Sequence, residues 1–193
     1  MDFANINNIT ITGRIASGAT TLAQNLANFL EWEFLEGGRY SDEFFAKIKQ
    51  NEMEVNLRPD KLDLDFDNYV KYLLMNEKRY VIQSHLSGFM AQGIDNTFKI
   101  LTVCEDKFGN DKPEIRIDRL INRKNISAEE ARMEVQKREE GNIKKWRKLY
   151  VPDDPEWVYW DKKYYDLVIN TYALNKDEGL ACVLEAIGYN AER

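Results

Sequence analysis

A glycine-containing turn at residues 13–21 decides the fold, and it reads Gly13-Arg14-Ile15-Ala16-Ser17-Gly18-Ala19-Thr20-Thr21. The β-branched residues of Asn8–Thr12 precede it and favour a short strand. After the turn, apolar residues recur at steps of three and four, which predicts an amphipathic helix packed on a sheet: Leu22, Ala23, Leu26, Ala27, Phe29 and Leu30. The chain therefore opens with a strand, a glycine-containing loop and a helix.

The rest of the chain continues this alternation. Short apolar runs suited to a sheet buried on both faces predict further strands at Tyr80–Ser84, Lys99–Cys104 and Asp166–Asn170. Helical patterns separate these runs, and two helix starts have capping-box spacing, Ser127 with Glu130 and Asn175 with Glu178. Strands that alternate with helices predict a three-layer α/β/α fold with a five-stranded, mostly parallel sheet.

Length and charge limit the class of protein. A chain of 193 residues is expected to form a single domain, residues 1–193. Its formal charge of −6 argues against the broad positive field that binds a nucleic acid polymer. No apolar run is long enough for a membrane span and the first residues lack signal-peptide character, so we expect a cytoplasmic protein without a membrane partner. The charge is uneven, because residues 116–148 hold eleven basic and six acidic residues.

The turn at residues 13–21 has the glycine frame and the final hydroxyl of the phosphate-binding loop G-x-x-x-x-G-K-[ST], with Ala19 where lysine is expected. Glycines let backbone N–H groups turn toward phosphate oxygens, and the following helix presents its positive dipole end. Thr20 would supply the hydroxyl for Mg²⁺. The predicted nucleotide-binding residues are Gly13, Arg14, Ser17, Gly18, Ala19, Thr20 and Thr21. The alternative is a strand-to-helix turn without a ligand.

Three segments resemble the archaeal-type branch of the cytidylate kinases, a branch of the P-loop nucleoside monophosphate kinases. They are Ile9–Gly13 with Ser17–Thr21, the basic segment Pro113–Tyr150, and Tyr165–Thr171. In that branch the lysine position of the loop is itself commonly threonine. The resemblance spans nearly the whole chain and implies a P-loop fold.

The resemblance also implies an activity. Such kinases transfer a phosphoryl group from ATP, with Mg²⁺, to CMP or dCMP beneath a mobile arginine-rich lid, here about residues 113–150, with acceptor-side helices at about 38–78. Phosphoryl transfer is mostly positioning and charge neutralisation, so lid cations can replace a missing loop lysine. By matching spacing, the candidates are Arg119, Arg123, Arg138 and Lys145. The alternative for each is a cation on a solvated helix face.

On the acceptor side the chain departs from the family pattern. Ser41 stands where the family has an arginine for the acceptor phosphate, and Arg39 could serve instead or be an exposed turn residue. Gln83-Ser84-His85 stands where the family has an acidic-Gly-Arg motif. His85 is either a weaker phosphate donor or a hydrogen-bonded structural residue. Asp63 or Asp67 could bind the amino group of the base, or lie on a solvated acidic face.

Two other functions stay open at this point. The residues at Ala19, Ser41 and His85 favour a degenerate kinase-like protein that binds a nucleotide or a partner without turnover. A kinase with a different small-molecule acceptor is the other alternative. We expect a monomer. The aromatic connection at residues 151–165 is expected to pack on the core or, alternatively, to form a partner or base-stacking surface.

Overall fold

A computed structural model describes residue 3, residues 5–40 and residues 55–189, except for the side chain of residue 56. Its five strands are β1 (Asn8–Gly13), β2 (Glu33–Glu36), β3 (Tyr80–Gln83), β4 (Thr97–Val103) and β5 (Leu167–Asn170). They form one sheet in the order β2-β3-β1-β4-β5, and all neighbouring strands are parallel. The α/β prediction and the predicted strands are confirmed, with strand ends displaced by one or two residues.

In the described part of the chain the helices lie between strands, except for the last one, which follows β5. They are α1 (Ala19–Leu30), α2 (Asp60–Asn76), α3 (Ser87–Met90), α4 (Pro113–Lys124), α5 (Ala128–Tyr150) and α6 (Lys176–Ala186). Residues 37–40 are also helical, and short 3₁₀ turns lie at Val55–Leu57 and Lys162–Tyr164. Both predicted capping boxes are present, at Ser127 and at Asn175. The sequence position of Ser41 lies outside the described residues.

Strand β1 lies at the centre of the sheet and is buried along its whole length. Two of its polar side chains are hydrogen-bonded there, since Asn8 Nδ2 donates to Glu77 O at 2.8 Å and Thr12 Oγ1 donates to Ser84 O at 3.2 Å. Apolar side chains of α1 and α6 cover one face of the sheet, and those of α2 and α3 cover the other. Strands β1 and β3 are parallel neighbours in the sheet, so their carboxyl ends, at Gly13 and Gln83, lie next to each other.

Helices α4 and α5 occupy the predicted lid segment, and α5 is partly built into the core. Trp146 is buried in the cluster beneath α2, and Leu120, Ala131 and Val135 pack around Ile15 of the loop. The aromatic connection follows α5, and Trp157 and Tyr159 are 3% and 1% exposed. The core-packing interpretation of residues 151–165 is therefore confirmed for these two side chains. Within the described residues, no helix is both long and apolar enough to cross a membrane.

Candidate active site

A cavity of about 1180 Å³ lies at the carboxyl ends of β1 and β3, the edge at which open parallel sheets bind ligands. It has two parts. The loop half is formed by residues 13–22 and 171–176 with Arg119 and Arg123. The α2 half is formed by residues 36–38 and by side chains of and beside α2 and α5: Arg58, Asp63, Asp67, Asn142 and Trp146. The predicted phosphate loop and the predicted acidic helix therefore face one cavity.

The glycines of the loop half meet a steric need. A Cβ on Gly13 would lie 2.1 Å from Thr102 Oγ1 and 2.2 Å from Ser17 Oγ, so only glycine fits between them. Gly18 has φ +94° and is the N-cap residue of α1, and no side chain caps this helix. Uncapped N–H groups at a helix start are a natural site for an anion. The loop therefore has the backbone shape that a phosphate requires.

The side chains at the start of α1 add a hydroxyl group to the loop half but no positive charge. Thr20 Oγ1 donates to Gln83 Oε1 at 3.2 Å, so the hydroxyl predicted to hold Mg²⁺ lies beside a neutral amide at the end of β3. Ala19 is buried and leaves α1 without a cation at that position. The positive charge of the loop half must come from other elements.

Arg14 does not face the cavity as a free cation, because it belongs to a network that we call the charged ring: Arg14, Asp111, Arg116 and Glu139. Arg14 lies 2.6 Å from Glu139 and 2.9 Å from Asp111, and Arg116 lies 2.8 Å from each carboxylate. Arg116, 1% exposed, also donates to Ile15 O at 2.9 Å. The charged ring thus fastens α4 and α5 to the loop backbone.

Three of the four predicted lid cations line the cavity. Arg119 donates to Thr171 O at 2.7 Å and to Thr171 Oγ1 at 2.8 Å, which fixes its guanidinium beside the loop. Arg123 is exposed at the rim, and Arg138 forms an ion pair with Glu134 at 2.8 Å. Lys145 is not part of the cavity lining, because it turns toward α2 and pairs with Asp63.

Helix α2 contributes two carboxylates, Asp63 and the buried Asp67, which are the two alternative base-binding candidates of the sequence analysis. Asp63 pairs with Arg58 Nε at 2.9 Å as well as with Lys145. Asp67 accepts a hydrogen bond from Tyr150 Oη on Oδ2. Burial raises the pKa of Asp67 to about 7, against the opposing effect of that hydrogen bond. Asp67 is therefore a carboxyl group that changes charge near neutral pH.

His85 and Arg39 adopt the structural alternatives of their predictions. His85 Nδ1 donates to Gly13 O at 2.8 Å, so this nitrogen carries the hydrogen. Burial, together with the charge of Arg138, lowers the pKa of His85 to about 4, and the neutral ring then has no hydrogen on Nε2 to offer a phosphate. Arg39 is 76% exposed, pairs with Glu36 at 3.2 Å and is not brought to the cavity lining.

Sequence reasoning missed Arg58, Asn142 and the charged ring. Arg58 is 9% exposed and donates to Asn142 Oδ1 at 3.0 Å, although the two residues are far apart in the chain. In the sequence, Arg58 is a single basic residue that precedes a proline and an acidic helix. Many solvent-exposed cations occur in such a context, so the sequence does not mark Arg58 as a cavity residue. Only the approach of α5 to α2 makes it a buried cavity residue.

Comparison with known proteins agrees with this geometry. Residues 8–173 match the model of the cytidylate kinase-like family. The cytidylate kinase of Thermococcus kodakarensis is 30% identical over 94% of this chain and 88% of its own length, and that of Haloarcula marismortui is 27% identical over 93% and 88%. The shikimate kinase of Acinetobacter baumannii has a TM-score of 0.55 at 16% identity over 97% of this chain and 96% of its own, which confirms the P-loop kinase fold. The chain belongs to the cytidylate kinase-like family of phosphotransferases.

Proposed function

We propose that this protein transfers the terminal phosphoryl group of ATP, with Mg²⁺, to CMP or dCMP. One observation carries the proposal: a single cavity joins the loop half, shaped for phosphate, to the α2 half, which presents a buried carboxyl group. Donor and acceptor can then lie in one space, as direct transfer between them requires.

The loop half is the donor site in this proposal. Backbone N–H groups of residues 14–20 hold the donor phosphates at the start of α1. Arg119, Arg123 and Arg138 line the cavity and neutralise the transferring group, which compensates for the uncharged Ala19. An oxygen of the acceptor phosphate is already a nucleophile, so no general base is needed.

The residues present fit Mg²⁺ bound together with the donor phosphates. Thr20 Oγ1 and Gln83 Oε1 are paired neutral oxygens beside the loop, and Mg²⁺ in such sites keeps several waters and phosphate oxygens as ligands. Among the described residues no cluster of three or more His, Cys, Asp or Glu forms a metal site made by the protein alone. When bound, the ion would neutralise phosphate charge and align the phosphates.

The α2 half is the acceptor site, and Asp67 is its base-binding group. Asp63 is occupied by Arg58 and Lys145, whereas no described residue donates to Oδ1 of Asp67. A carboxyl oxygen accepts from the exocyclic amino group of cytosine, which uracil lacks. Asp67 therefore favours cytosine over uracil.

The direct test is ADP release from Mg-ATP, measured with CMP, dCMP, UMP, AMP and shikimate as acceptors. We expect the highest kcat/KM with CMP or dCMP. ATP binding without ADP release for every acceptor would support the degenerate alternative. A preference for shikimate over all nucleotides would identify a different acceptor class.

A pair of variants on α2 tests the base assignment. Asp67→Asn should lower the CMP-over-UMP preference in kcat/KM about 10-fold, because the amide presents a donor as well as an acceptor. Asp65→Asn is the control, since Asp65 is exposed on the same helix and pairs with Lys61. An unchanged preference in Asp67→Asn would remove Asp67 from base recognition.

A further inference from the structure

We propose that Arg58 binds the acceptor phosphate in the α2 half and supplies the positive charge that this chain lacks at positions 41 and 85. The inference rests on the proposed function, since it assigns one chemical group of that acceptor to one side chain. It adds a residue that neither the loop pattern nor the lid spacing indicates.

Arg58 is held inside the cavity by contacts from two helices. Its side chain lines the cavity although the residue is 9% exposed. Asp63 Oδ1 lies 2.9 Å from Nε and Asn142 Oδ1 accepts from Nη2 at 3.0 Å, so α2 and α5 both fix the guanidinium. No described residue accepts a hydrogen bond from Nη1. A guanidinium that is already oriented loses little entropy when it binds an anion.

The group of charges next to Arg58 has more cations than carboxylates. Asp63 is shared by Arg58 and Lys145, and Lys145 also lies 3.6 Å from Asp60. Asp60 is half-exposed and lies 3.3 Å from Lys148 as well. Three cations thus share two carboxylates, and another carboxyl group within electrostatic range of Arg58, that of Asp67, is partly protonated at neutral pH because burial raises its pKa to about 7. The excess positive charge is at the buried end of this group, where an anionic ligand can balance it.

Arg58 and Arg138 both lie near His85 and both line the cavity. The charges of both arginines contribute to the low pKa of His85, so both lie within electrostatic range of that ring. His85 itself is bonded to Gly13 O at the end of β1. Positive groups from both sides therefore meet beside the loop, where donor and acceptor phosphates would face each other.

The guanidinium of Arg58 is better suited to the phosphate of the acceptor than to its base. A guanidinium presents a planar fork of N–H donors that matches phosphate or carboxylate oxygens and holds them in two directions. Cytosine is recognised instead through hydrogen bonds along the edge of the base, and a carboxyl oxygen can accept one of them from the exocyclic amino group. The α2 half accordingly has a cation for the phosphate and Asp67 for the base.

The test compares CMP with cytidine, which differs from it only by the phosphate. Calorimetric titration is done on the wild type, on Arg58→Gln and on the control Arg39→Gln, which alters an exposed arginine paired with Glu36. In Arg58→Gln, Lys145 still neutralises Asp63, so no buried carboxylate is left alone. We expect Arg58→Gln to lower CMP affinity about 10- to 100-fold and to leave cytidine affinity within about 3-fold.

The outcomes separate this inference from the proposed function. Equal losses for CMP and cytidine in Arg58→Gln, or no loss for either, would overturn the role of Arg58 while the proposed function stands. A wild type that binds neither CMP nor dCMP would overturn both. A selective loss for CMP in Arg58→Gln and none in Arg39→Gln would support the inference.

Discussion

The loop half and the α2 half of the cavity are built from different kinds of interaction. In the loop half the backbone forms the site: Gly13 fits where no side chain could, and α1 begins uncapped at Gly18. In the α2 half, side chains form the site, and each one depends on a partner from another element, as Asp67 depends on Tyr150 and Arg58 on Asn142. The loop half is therefore specified locally, and the α2 half is specified by tertiary packing.

The charged ring combines both kinds of interaction, because its side chains hold the backbone of the phosphate loop in place. Glu139→Gln removes the carboxylate that Arg14 and Arg116 share, and leaves both guanidiniums with Asp111 alone. We expect the free energy of unfolding to fall by about 3–5 kcal/mol, the usual cost of breaking a buried ion pair from one side. Urea denaturation followed by circular dichroism measures it.

The neighbouring residue provides the control for that variant. Glu140 is exposed and accepts only from Gln136 at 2.9 Å among the described residues, so Glu140→Gln should change the free energy of unfolding by less than about 0.5 kcal/mol. Equal stability of the two variants would show that the charged ring does not hold α5 to the loop.

A second variant tests whether the positive charge of the lid helices contributes to phosphoryl transfer. Arg138 lines the cavity, and its removal in Arg138→Ala should lower kcat at least about 100-fold, equivalent to about 2.7 kcal/mol of transition-state stabilisation. Arg132→Ala is the matched control, since Arg132 is exposed on the same helix. If both variants retain wild-type turnover while folded, Arg138 has no part in the transfer.

The difference between the loop half and the α2 half explains which features could be predicted from the sequence. Four of the five strands, α1 and the caps at Ser127 and Asn175 are recorded in local patterns, and the predicted ends of those four strands differ from the observed ends by at most two residues. The phosphate loop can likewise be recognised from a short stretch of sequence, residues 13–21. The direction of Arg14 and the burial of Arg58 could not be predicted, because their partners at positions 139 and 142 lie more than 80 residues away.

The pH dependence of stability gives the smallest expected effect and concerns the α2 half alone. The folded-state pKa of Asp67 is raised from 3.8 to about 7, so the folded protein holds this proton more tightly than the unfolded chain. The stability that this proton contributes is present at low pH and is lost as pH rises through about 7. Asp67→Asn should therefore gain on the order of 2 kcal/mol relative to wild type between pH 5 and pH 8.

Thermal and urea unfolding of both proteins at the two pH values would measure this difference. Asp65→Asn, on the exposed side of α2, should move by less than about 0.5 kcal/mol over the same range. An Asp67→Asn variant that tracks wild type at both pH values would mean that Asp67 is charged in the folded protein throughout.

In the proposed function, the loop half and the α2 half bind donor and acceptor at the same time. Calorimetric titration with adenosine and cytidine joined through five phosphates, in the presence of Mg²⁺, tests it most directly. If the two halves form one site, this compound should bind at a ratio of one per chain and at least about 100-fold more tightly than ATP, because the second contact becomes intramolecular. An affinity no higher than that of ATP alone would contradict the claim.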